Sequence, residues 1–162
     1  MTENEIIHSL NDTFILCDIH MERMMYAFEK IKHHFPLTRD NYLHISPDDL
    51  SYFDQLIFRY SKLQDTMGKR LFPQILEFLG EDIRTMAFID LLNKMEKLGL
   101  LSNHREWFAL RETRNIVTHE YPFTVEDITQ GLNALSAQLL TLTSMYNHLK
   151  AYFKARSGSF RS

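Results

Sequence analysis

Three observations point to an all-α fold, an up-and-down bundle of about five helices with long first and last members. Apolar residues recur at steps of three and four along almost the whole chain. Only five glycines and four prolines occur among 162 residues, too few for the turns of a sandwich or barrel. No βαβ alternation, internal repeat or low-complexity tract interrupts the pattern.

The first helix starts at Thr2, which with Glu5 has the spacing of a capping box. Its stripe is Ile7, Leu10, Phe14, Cys17, Met21, Met24, Phe28 and Ile31, and Pro36 falls just beyond its end. Residues 34–46 read as a connecting loop. Ser46-Pro47 supplies an N-cap and a first-turn proline for a second helix carrying Phe53, Leu56, Tyr60, Leu63 and Met67. Gly68 and Pro73 lie inside the continuing pattern and predict a kink or break near 68–73, with Gly80 as the stop. A third helix is expected from about residue 83, bearing Phe88, Leu91, Leu92, Met95 and Leu98 and closed by Gly99. Ser102 is the expected cap of a fourth, which runs to about Tyr121 before Pro122.

Thr124 caps the fifth helix, whose stripe is the most regular: Val125, Ile128, Leu132, Leu135, Leu139, Leu142, Tyr146, Leu149 and Phe153. The long stripes suit a core first and a dimer seam second. The expected organisation is a single helical domain over 1–156 and a flexible basic tail over 157–162.

Composition narrows the function classes. A chain this long buries roughly two-thirds of its unfolded surface. With 44% hydrophobic and 24% charged residues, it falls outside the disordered class. The single cysteine, Cys17, excludes an intramolecular disulfide framework and a cysteine zinc site and points to a reducing compartment. A net charge of −3 argues against a general nucleic-acid coater, so contact with nucleic acid requires a local patch. The acidic, polar N-terminus does not read as a targeting leader, and no apolar run reaches the roughly 20 residues that span a bilayer. A cytoplasmic protein without membrane contact is expected.

Most catalytic signatures are missing. Di-iron bundles need Glu-x-x-His on two helices, and that spacing occurs once, at Glu5 and His8. His33 and His34, as neighbours on a helix, are expected on different faces. With no H-E-x-x-H and no phosphate-binding glycine loop, neither metal nor cofactor is expected. Cys17 reads as a small core residue.

One segment is different: LRETRNIVTHEYP, residues 110–122. On a helical projection Arg114 falls at about 340°, within the arc of Trp107, Leu110, Val117 and Tyr121, and His119 lies about 140° from it. Desolvating an unpaired guanidinium costs several kcal/mol. Arg114 therefore either pairs with a buried carboxylate or serves a purpose beyond packing. Arg111, Asn115 and His119 form a polar ridge beside it. An arginine that clamps a phosphate and a histidine that moves protons are the ingredients of phosphodiester cleavage. His119 has a plainer role open to it, complementing a helix C-terminus. The pair converges only if the helix unwinds before Pro122 or two copies meet.

Residues 114–121, RNIVTHEY, have the form R-N-x-x-x-H-x-Y. This resembles the HEPN superfamily and, within it, the HepT-like toxins, whose motif is R-x-x-x-x-H-x-Y. FDQLIFRYSKLQDTMGKRLF, FIDLLNKMEKLG and Trp107 with LRETRN fit the same group, so that the likeness spans about residues 45–125. The resemblance implies a metal-independent endoribonuclease toxin with a composite site between two protomers. Arg114 would hold the scissile phosphate and His119 would act as acid or base, with Asn115 and Arg111 in support. It further implies a minimal nucleotidyltransferase antitoxin able to transfer AMP to Tyr121. Some relatives are substrate-binding partners of nucleotidyltransferases, so a non-catalytic nucleotide-binding subunit is the alternative. Arg105, Arg111, Arg114, Lys150, Lys154, Arg156 and Arg161 are the cations available for an RNA surface.

Overall fold

In a computed structural model, which describes residues 1–119 and 124–158, every regular element is helical. The order is α1 (Glu3–Ile31), a 3₁₀ turn (Lys32–His34), α2 (Arg39–Leu43), α3 (Pro47–Thr66), a π turn (Met67–Leu71), α4 (Phe72–Phe78), α5 (Phe88–Lys97), α6 (His104–Thr118) and α7 (Val125–Ser157). The first and last are the long members, at 29 and 33 residues.

Local chemistry sets most of the boundaries. The Thr2 hydroxyl accepts from the Glu5 amide, and the Glu5 carboxylate accepts from the Thr2 amide. Ser46 and Thr124 cap α3 and α7 in the same one-sided way, each accepting from the amide three residues on. Gly80 and Gly99 take φ of +86° and +74°, and so close α4 and α5 at little steric cost.

Elsewhere the boundaries move. The 34–46 loop contains α2, a single turn capped by a two-way bond between Thr38 and Asn41 and too short to show a hydrophobic period. The third helix begins at Phe88 rather than near residue 83. Asp82 accepts from both the backbone and the guanidinium of Arg84, which holds a turn where helix was expected. Asn103, not Ser102, caps α6: its carbonyl accepts from the Arg105 amide at 2.8 Å, while Ser102 donates to Glu106. At the other end α6 stops at Thr118, short of Tyr121. Helix α7 extends through Arg156 and Ser157 before Gly158 turns left-handed, and residues 159–162 of the expected 157–162 tail lie outside the described residues.

His33 and His34 also depart from expectation. Ile31 leaves helical geometry (φ −125°, ψ −1°), and the following 3₁₀ turn brings the two rings together, centroids 4.0 Å apart, beside Asp49 of α3. They share a side of the molecule. The disturbance expected at 68–73 is a π turn that passes directly into α4, not a break.

Helix α1 and the α3–α4 rod run antiparallel. Arg23 meets Gln55, His20 meets Arg59, and Ser9 and Thr13 meet Gln74. Helices α6 and α7 also oppose each other, with Val117 near Gly131 and the Gly99 carbonyl at the head of α6 near His148. Phe14, Cys17 and Met24 of α1, Leu56, Tyr60 and Leu63 of α3, and Leu135, Leu142 and Phe153 of α7 belong to one core. Both long stripes are thus spent on the interior. Two polar ties close the bundle: Tyr146 donates to the Phe14 carbonyl and the Asp18 carboxylate, and Lys150 reaches Asp18 at 2.6 Å. No described helix is long and apolar enough to cross a membrane.

Cys17 is fully buried, and burial, with the Asp18 charge adding to it, pushes its thiol up to about 12. Only the thiolate is nucleophilic. Folded protein at pH 8 should therefore leave a disulfide thiol reagent unreacted over the assay, and one thiol per chain should appear on adding denaturant. Prompt reaction of the folded protein would contradict this packing.

Candidate functional site

Helix α6 carries the motif, and α3 supplies the surface against which it is set. Arg114 is held at 31% exposure between them: its Nη2 donates to Asp65 Oδ2 at 2.9 Å and its Nη1 to Asn115 Oδ1 at 3.3 Å. The third nitrogen, Nε, is buried with no hydrogen-bond partner. A carboxylate partner therefore exists, as the arginine's place on the apolar arc required. Asp65 is itself only 31% exposed, so the pair is partly desolvated, fixed in direction, and still open to water on one side.

The open side faces a groove of ≈ 350 Å³ lined by Phe58, Ser61, Lys62, Asp65, Arg114 and Thr118, among others. The Ser61 hydroxyl is committed to the Ile57 carbonyl and the Thr118 hydroxyl to the Arg114 carbonyl. Lys62 brings a second positive charge to the rim and lies 5.5 Å from the Phe58 ring, itself half exposed. The groove thus offers two cations, Lys62 and Arg114, against two carboxylates, Asp54 and Asp65, together with an exposed aromatic face. This combination can take a phosphate and an adjacent base.

On the other side of Asp65 a second pocket of ≈ 380 Å³ is lined by Gln64, Gly68, Lys69, Phe88, Trp107 and Arg111. Arg111 is exposed, its guanidinium 5.7 Å from the centre of the Phe88 ring. The buried wall contains unmatched polar groups: neither end of the Gln64 amide has a partner, nor does Trp107 Nε1. Buried donors and acceptors without partners cost about 1–3 kcal/mol each. Gln64 and Trp107 are each only 2% exposed, so these atoms lie behind the pocket surface and are not presented to a ligand.

The sequence-derived residues are therefore only partly gathered. Arg114 and Asn115 touch, and Arg111 lies on the neighbouring pocket, with Asp65 lining both. His119 follows the last helical residue in extended geometry (φ −59°, ψ 136°) and is exposed. Among the described residues it lines neither pocket and takes part in no hydrogen bond or ion pair. Tyr121 and Arg161 lie outside the described residues. Of the late cations, Lys150 is paired with Asp18, and Arg156 lies 3.5 Å from the centre of the Tyr152 ring. Lys62 and Lys69 beside the motif are the better-placed positive charges.

Sequence reading missed Asp65 and Gln64. Both are polar neighbours of the α3 stripe, and only the packing of α3 on α6 reveals their role. Comparison with protein-family models, with curated proteins and with solved structures returns no match.

Proposed function

We propose that this protein is a metal-independent endoribonuclease that works as a homodimer, the toxin of a pair whose antitoxin is a minimal nucleotidyltransferase. The observation that carries the reading is Arg114: a guanidinium oriented by Asp65 on the wall of a groove with a second cation, within a segment that reads R-N-x-x-x-H-x-Y. An RNA phosphate entering the groove competes with Asp65 for the guanidinium and exchanges a single carboxylate contact for a bidentate one.

His119 supplies the proton chemistry. One imidazole takes the proton of the ribose 2′-hydroxyl as its oxygen attacks phosphorus; the bond to the 5′-oxygen breaks, and that oxygen leaves with a proton from an acid. The products are a 2′,3′-cyclic phosphate and a free 5′-hydroxyl. Arg114 stabilises the charge that builds on the phosphoryl oxygens. Because His119 of one chain stands outside the Arg114 groove, the His119 of a second copy is the natural complement, which is why the reading includes a homodimer. AMP transferred to Tyr121 would bring charge and bulk next to His119 and exclude the RNA phosphate.

The other reading, a non-catalytic nucleotide-binding subunit of a nucleotidyltransferase, draws on the second pocket, where Phe88 and Trp107 stand beside Lys69 and Arg111, a lining that suits a base and its phosphate. One experiment separates the two. Labelled RNA incubated with the protein and excess chelator should be cut to fragments ending in cyclic phosphate, and expression of the chain alone should arrest growth. Tight nucleotide binding with intact RNA and normal growth would establish the subunit reading instead.

A further inference from the structure

At the opposite end of α3 from the motif, three side chains that commonly ligate metals converge. His34 Nε2 lies 2.8 Å from Asp49 Oδ2, His33 Nε2 lies 4.0 Å from the same oxygen, and the donor atoms of all three fall within 4.8 Å of one another. We propose that His33, His34 and Asp49 form a zinc site that fastens the end of α1 to the start of α3.

The local architecture prepares the ligands. The chain leaves α1 at Ile31, so the two histidines sit on a 3₁₀ turn, where their rings lie side by side, tilted by 38°, rather than on separate helix faces. The Asn41 amide donates to the His34 carbonyl at 3.2 Å and steadies its backbone, while Phe53 stands 6.0 Å from the His34 ring. Asp49 occupies the third position of α3, where its amide donates to the capping Ser46 hydroxyl at 3.1 Å. Two of the three ligands are thereby pre-set, and His33, 63% exposed, is free to swing inward.

Two imidazoles aimed at a single carboxylate oxygen are one more than a hydrogen bond needs. The set of two nitrogens and one oxygen suits zinc over magnesium or calcium, which prefer oxygen alone. Zinc bonds of about 2.0–2.1 Å in a tetrahedron place ligand atoms about 3.4 Å apart. The longest edge of the cluster therefore has to close by no more than about 1.4 Å. Three protein ligands leave a fourth position for water. Neighbouring histidines on a regular helix diverge, and the 3₁₀ turn removes that objection to a shared metal.

The site is remote from the proposed chemistry. Asp49 and Asp65 are separated by about 24 Å along α3 at the usual helical rise of about 1.5 Å per residue. Zinc here acts on the joint between helices, and the chelated RNA assay remains interpretable below the melting temperature of the stripped protein.

The test uses the full chain, stripped by chelator and dialysed, then titrated with zinc against a chromophoric indicator. One zinc per chain is expected, with a raised melting temperature, and cobalt(II) in its place should show the visible absorption of tetrahedral coordination. His34→Ala, Asp49→Asn and the exposed-site His33→Ala should each weaken binding at least about tenfold. His44→Ala, at a nearby exposed histidine that bonds a backbone carbonyl, should not. Circular dichroism checks that each variant is folded, and if His34→Ala is not, His33→Ala decides. Absence of saturable zinc binding, or binding unchanged in the His33→Ala variant, would overturn the proposal.

Discussion

Replacing Arg114 or His119 by alanine is expected to lower RNA cleavage at least about 100-fold each, because one removes a charge stabiliser and the other a proton carrier. The two losses should differ in kind. Arg114→Ala also strips Asp65 of its partner, leaving a partly desolvated carboxylate at the groove and repelling phosphate, so RNA binding weakens along with turnover. His119 is exposed and makes no hydrogen bond or ion pair among the described residues, so His119→Ala should preserve both the melting temperature and RNA binding. That variant is the decisive one. Full activity in folded His119→Ala would remove His119 from the proposed chemistry, whereas full activity in Arg114→Ala would reduce Arg114 to a packing arginine paired with Asp65. Measurement of turnover and RNA affinity in both variants separates these outcomes.

The largest loss of stability is expected from Phe14→Ala. Phe14 is fully buried, its ring centre 5.4 Å from Phe153 and 6.0 Å from Tyr146, so it fills the seam where α1 meets α7. Truncating a buried phenylalanine costs about 3–5 kcal/mol through lost transfer energy and the cavity left behind. For a chain of this length that corresponds to a fall in melting temperature on the order of 10 °C. The exposed Ile15, one position along and 59% accessible, provides the control: Ile15→Ala should move the transition by no more than about 0.5 kcal/mol. Equal effects at the two positions would mean that α1 presents a different face to the core.

How far the residues foretold this arrangement depended on whether the determining interaction was local. The α7 stripe from Leu132 to Phe153 is interior at every expected position, since a 3.6-residue period needs nothing but the helix itself. Caps written in one side chain, at Thr2, Ser46 and Thr124, were legible for the same reason. The start at Phe88 was not, because the Asp82–Arg84 contact that delays it mimics ordinary helical polarity in the sequence. The candidate site shows the same division. Arg114's place on an apolar arc announced that it needs a partner, yet Asp65 lies 49 positions away and is recruited only by packing of α3 on α6. His33 and His34 were misread because a period was carried past Ile31, where the helix had already ended.

The π turn at Met67–Leu71 has a consequence for how this chain changes length. A turn of this kind holds one residue more than an α turn, yet Leu63 before it, Leu71 at its end and Ile75 and Leu76 after it all remain interior. Pro73 cannot offer the amide hydrogen that an uninterrupted α turn would require of it, and the wider turn absorbs that deficit. Gly68 completes the accommodation: a β-carbon there would sit 2.9 Å from the Trp107 ring, so the rod approaches α6 at the one residue without a side chain. The extra residue behaves as a one-codon insertion kept within a helix instead of expelled into a loop. It lies beside the wall formed by Gln64, Lys69 and Trp107. Single-residue insertions and deletions at this turn would remodel that pocket while the two flanking helices kept their phase, without rebuilding the bundle.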